Sequence, residues 1–182
     1  GMAVVAYVIF TIDVRLALAA MAIVPVLAVA AVVFRYKVRE AFREAFIKTW
    51  HGEVEDDGYN RLVLGAGLSW RQVTVLRAVA RYLRQTGSTF SDRYVEQVLV
   101  DHPEVASMLI DLFRARFDPA EADETTAETV ASRIEEAIDA VESLDQDQIL
   151  RRFLAVVRSM LRTNFFQRSE EGREPKPYVS FK

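Results

Sequence analysis

From Arg39 to Phe166 apolar residues return every three or four positions, and most of the chain's few glycines and prolines fall in the short gaps between these runs. That rhythm lines one face of a helix and cannot line one face of a strand. Phe42, Phe46, Ile47 and Trp50 form one such stripe. Val73, Leu76, Val79, Ala80 and Leu83 form a second, and Val105, Met108, Leu109, Leu112 and Phe113 a third. Val130, Ile134, Ile138 and Val141 follow, then Leu150, Phe153, Leu154, Val157, Met160 and Leu161 in a helix expected over residues 149–166. The pattern predicts an all-α fold with an antiparallel multi-helix domain of about six helices.

Punctuation marks the helix ends. Ser69 with Gln72 three residues on is a capping-box pattern, and Asp145 with Gln148 is read the same way. Ser91 or Asp92 is expected to cap the next helix, Pro103 suits the first position of another, and Gly52 and Gly87 suit helix C-termini.

Composition narrows the chemistry. The chain has no cysteine, which removes disulfides, thiolate metal sites and a cysteine nucleophile. Its two histidines, His51 and His102, lie on different segments and lack metal-ligand spacing. A net charge of -3 provides no strong field for nucleic acid or membrane. The acidic turn at residues 53–57 lacks the ligand spacing of a calcium loop. Gly65-Ala66-Gly67 would need a third glycine at position 70 to make a dinucleotide fingerprint, and Trp70 stands there. No catalytic, cofactor-binding or metal-binding residue is assigned.

The 51% hydrophobic content is concentrated before residue 35. Residues 3–12 are apolar, Asp13-Val14-Arg15 interrupts, and Leu16 to Phe34 runs uncharged for about 19 residues, the length of a bilayer-spanning helix. Arg35, Lys37 and Arg39 follow, as at a cytoplasmic end. The expected organisation is an apolar N-terminal helix or hairpin over 1–38, membrane-inserted or in membrane contact through residues 3–34. A helical domain over 39–167 and an extended tail over 168–182 follow. The segment from Asp13 through Leu18, its apolar helix with Pro25 and its basic extension resemble a membrane-helix segment of ABC-type exporters, although Val14 stands where tryptophan is common. No phosphate-binding loop accompanies it.

Arg77, Arg81 and Arg84 form a basic stripe behind the Ser69 cap. With Tyr59, Asn60, Arg61, Trp70 and Arg71 they make the candidate interaction surface; internal pairing or solvation is the competing reading. No aromatics interleave with the arginines, which argues against nucleic acid.

Several ordered blocks carry a second resemblance. Asp57 to Leu64 reads DGYNRLVL, Ala66 to Arg71 reads AGLSWR, and Tyr82 to Gln85 reads YLRQ. His102-Pro103, Leu112 to Pro119 (LFRARFDP), Arg162 to Gln167 (RTNFFQ) and Lys176 to Lys182 (KPYVSFK) follow in order. Residues 40–182 thereby resemble the helical region ahead of the catalytic domain in the large bacterial NAD-specific glutamate dehydrogenases. The resemblance implies a parent enzyme that oxidatively deaminates glutamate to 2-oxoglutarate with NAD. It also implies a non-catalytic linker or regulatory segment here, with the catalytic domain beyond Lys182. The implied partner is that catalytic domain or a second copy, and the implied location of residues 39–182 is the cytoplasm. A membrane-anchored transporter fragment and a helical protein-interaction module are the alternatives.

Overall fold

The computed structural model describes residues 14–52, 54–168, 175–176 and 178–182. Expectations for residues 3–13 and for the middle of the tail lie outside these residues. The chain divides into two units, residues 1–40 and residues 41–182.

Helix α1 runs from Val14 to Trp50. It passes through Pro25 and continues unbroken across residues 38–39. The reason is local: no glycine, proline or capping residue stands between Phe34 and Thr49, and Arg, Lys, Glu and Ala favour helix there. Among the described residues no helix is long and apolar enough to cross a membrane, so the expected span and the transporter alternative lack support.

The second unit is all helical among its described residues, apart from two isolated bridges near its end. Gly52, with positive φ, ends α1. A 3-10 turn over Gly58–Arg61 leads into α2 (Leu62–Gly65). Then come α3 (Trp70–Gln85), α4 (Asp92–Asp101), α5 (Pro103–Phe117), α6 (Glu124–Asp139) and α7 (Leu144–Ser159). Helices α5 and α6 form the most extensive pair, and α7 packs against α3, α4, α5 and α6. Its Ile149, Leu150, Phe153 and Val157 meet Leu76, Leu99, Leu109, Leu112, Phe113 and Ile138 in one buried cluster.

The Ser69 cap is reciprocal: its hydroxyl accepts from the Gln72 amide at 3.3 Å, and its own amide donates to the Gln72 side chain at 2.8 Å. Replacing Ser69 with alanine is expected to cost about 1 kcal/mol in a urea titration, the worth of an N-cap. Gly87 ends α3 with a positive φ, and the Ser88 and Gly87 amides donate to the Leu83 and Arg84 carbonyls. Ser91 caps α4 and Pro103 opens α5.

Two sequence expectations need correction here. Helix α7 begins at Leu144, so Asp145 lies in its first turn beside the positive helix end and is not its cap. The same helix stops at Ser159, well short of Phe166, leaving Leu161 exposed, not in the core. Arg116 of α5 explains the stop, because its guanidinium donates to the Val157 and Met160 carbonyls that another helical turn would have used.

Beyond α7 the chain folds back on itself. Leu161 and Arg162 amides donate to the Lys182 carbonyl, and the Lys182 amide donates to the Arg162 carbonyl at 3.0 Å. Bridges join Thr163 with Phe181 and Arg168 with Pro175. The described part of the tail is therefore the second arm of a small hairpin whose partner is the segment after α7. Buried Asn164 holds both arms, donating to the Tyr178 carbonyl at 3.1 Å and accepting from the Ser180 amide at 2.7 Å.

Candidate functional site

The eight candidate residues divide between two places. The first centres on Arg77, which sits on the inward side of α3 and is buried. Its Nε donates to Asp57 Oδ2 at 2.6 Å and its Nη2 to Asp57 Oδ1 at 2.8 Å, a two-pronged pair. Nη2 also reaches Asn60 Oδ1 at 3.2 Å, and the guanidinium lies 5.8 Å from the Tyr59 ring centre. Tyr59 is buried beneath; burial, with Glu96 and Asp57 nearby, pushes its phenol well above its ordinary range. Asn60 donates in turn to the Glu55 carbonyl at 3.0 Å.

The outer arginines of the stripe are also paired. Arg81 meets Glu55, and Arg84 meets Asp92 at 2.5 Å. Arg61 makes a long contact of 3.4 Å to Gln97. Between these groups lies an open depression of about 240 Å³, lined by Glu55, Asp57, Arg77, Arg81, Asp92 and Glu96 among others. Arg77 and Arg81 thereby fasten the segment of Glu55 and Asp57 onto α3, and Arg84 pairs with Asp92 at the start of α4.

The second place is the head of α3. Trp70 donates its indole N–H to Glu44 at 2.9 Å, and Lys48 lies 5.8 Å from its ring centre, so it faces the last turns of α1. Arg71 points the other way, into the hairpin. Its Nη2 donates to the Phe165 carbonyl at 2.6 Å and its Nη1 to the Lys176 carbonyl at 3.0 Å, while its guanidinium stacks 4.7 Å from the Phe165 ring centre. Partial burial lowers its affinity for the proton.

Sequence reasoning did not single out Asp57, Asn164 or Arg116 as site residues. Asp57 and Asn164 stand within the DGYNR and RTNFFQ blocks. Arg116 stands within the LFRARFDP block, but its partners lie about forty residues further along the chain.

Comparison with known proteins assigns these pieces to two modules. A family model described as glutamate dehydrogenase, helical motif 3, matches residues 54–119. A model described as the bacterial NAD-glutamate dehydrogenase catalytic domain matches residues 133–182. NAD-specific glutamate dehydrogenases of Halomonas elongata and Mycobacterium tuberculosis are 47% and 48% identical over 147 and 128 residues, 80% and 69% of this chain. The chain belongs to the NAD-specific glutamate dehydrogenase family. The corresponding protein of Pseudomonas aeruginosa is 40% identical over 151 residues, again 80% of the chain. The matched parts are 9%, 8% and 9% of these dehydrogenases' own lengths.

The match corrects one expectation. The catalytic domain does not lie wholly beyond Lys182, since its family model already takes in α7 and the hairpin. Gly65 and Gly67 close α2, with no strand ahead of them among the described residues, so this stretch does not make a dinucleotide fingerprint. Among the described residues no cluster of three or more acidic or histidine side chains could hold a metal.

Proposed function

We propose that this chain is the helical segment of an NAD-dependent glutamate dehydrogenase that supports the catalytic domain, the whole protein oxidatively deaminating glutamate to 2-oxoglutarate in the cytoplasm. The observation that carries this reading is the shared core between the two matched modules. Phe113 of helical motif 3 packs on Phe165 and Phe166 of the catalytic-domain segment, with ring centres 5.4 and 5.9 Å apart. A core shared across the boundary makes the helical module a structural base for the catalytic one.

The test follows NADH formation from glutamate and NAD. The purified chain alone is expected to give none. Mixed with the part of a relative's catalytic domain that follows its match to residue 182, it is expected to co-elute with that part and to change its rate. A mixture with no co-elution and an unchanged rate would sink the reading.

A further inference from the structure

We propose that Arg71 is a positioning residue through which helical motif 3 sets the hairpin in the catalytic-domain segment, and thereby the rate of glutamate oxidation. The inference rests on the functional reading above and names one coupling within it. Arg71 belongs to residues 54–119, while both carbonyls it engages belong to residues 133–182. Those two carbonyls lie on opposite arms of the hairpin: Phe165 stands between bridged Thr163 and Arg168 on the first, and Lys176 follows bridged Pro175 on the second. One planar guanidinium therefore fixes the spacing of the arms and their orientation to α3 together. Its stacking on Phe165 adds a third constraint, and Phe165 packs edge-on to Phe113.

The second crossing has the same form. Arg116, also of helical motif 3, donates to the Val157 and Met160 carbonyls where the chain leaves α7 for the hairpin. Both arginines grip main-chain oxygens, so the hold depends on backbone position and not on the side chains gripped. Arg71 differs in its location. Its neighbour Trp70 is bound to Glu44 of α1, so the head of α3 is tied to the end of α1 on one side and to the hairpin on the other.

A shift of α3 would reach the hairpin through Arg71. Ångström-scale displacement of groups remote from the chemistry is enough to alter a rate.

The test has two arms. In this chain, amide hydrogen exchange is compared for wild type, Arg71→Ala and Arg71→Lys. Arg71→Ala is expected to cut protection of the Leu161, Asn164 and Lys182 amides by about tenfold or more, the scale of lost charge-assisted hydrogen bonds. Arg71→Lys, lacking the two-pronged planar donor, is expected not to restore it, whereas added guanidinium ion should partly restore Arg71→Ala. Unchanged hairpin protection in Arg71→Ala, or full protection in Arg71→Lys, would overturn the proposal.

The second arm uses a full-length relative, with the arginine of its matching A-G-L-x-W-R block changed to lysine. There kcat is expected to fall about ten- to hundredfold with KM for glutamate and NAD little changed. An unaltered kcat would overturn the coupling while leaving the functional reading intact. Failure of that reading shows separately, as a wild-type chain that neither binds a catalytic domain nor changes its rate.

Discussion

Replacing Phe113 with alanine is expected to lower the unfolding free energy by about 3–5 kcal/mol, the range for a buried phenylalanine. Its side chain is almost wholly inaccessible. It stands where three rings converge: Phe117 at 5.3 Å, Phe165 at 5.4 Å in an edge-on arrangement, and Phe166 at 5.9 Å nearly parallel. Truncation removes the transfer free energy of the ring and leaves a cavity that helices α5 and α7 cannot close without moving the hairpin. Phe113→Leu keeps most of the volume and should cost less than about 1.5 kcal/mol. Urea titrations followed by circular dichroism read both values. A loss below about 1 kcal/mol for alanine would mean that the hairpin rings repack freely and are no part of the core.

The second large effect is at Arg77. Arg77→Ala is expected to destabilise the chain by about 3 kcal/mol, because it strands the half-buried Asp57 carboxylate. The carboxylate accepts both guanidinium donors, and the arginine side chain is only 7% exposed. Much of that cost is the unpaired charge and not the net worth of the pair. A second change, Asp57→Ala, should therefore recover part of it, and the double-mutant cycle should show a coupling of about 1–3 kcal/mol. Purely additive losses would contradict the geometry. The neighbouring exposed pairs give a contrast, since surface ion pairs such as Arg84 with Asp92 are worth about 0–1 kcal/mol.

The helices themselves were legible because their signals are local. The Val73 to Leu83 stripe, the Ser69–Gln72 box, Pro103 at the head of α5 and Gly87 after α3 all act within a few residues, and all stand where the sequence places them. The continuity of α1 from Phe34 into Trp50 follows from unbroken helix propensity across a change in composition from apolar to charged. The end of α7 was beyond local reading. Leu161 continues the apolar stripe, and only Arg116, arriving from α5, takes the carbonyls that stop the helix.

The candidate residues show the same division. The basic stripe on α3 was visible, while the partners of Arg77 and Arg81, Asp57 and Glu55, were not, because they reach it across a turn about twenty residues earlier. Trp70 and Arg71 were visible as a motif. That Arg71 bridges two carbonyls roughly a hundred residues away, across the junction of two modules, is a tertiary fact with no periodicity to announce it.

The claim on which the rest depends is that helical motif 3 and the catalytic-domain segment are one folding unit. Native-state hydrogen exchange under graded denaturant measures this directly, by comparing the slowest amides of α3 and α5 with those of α7. The account predicts one shared opening free energy, since Phe153 and Val157 share their core with Leu76 and Phe113. A helix α7 that opens at clearly lower free energy, while α3 and α5 stay closed, would contradict it.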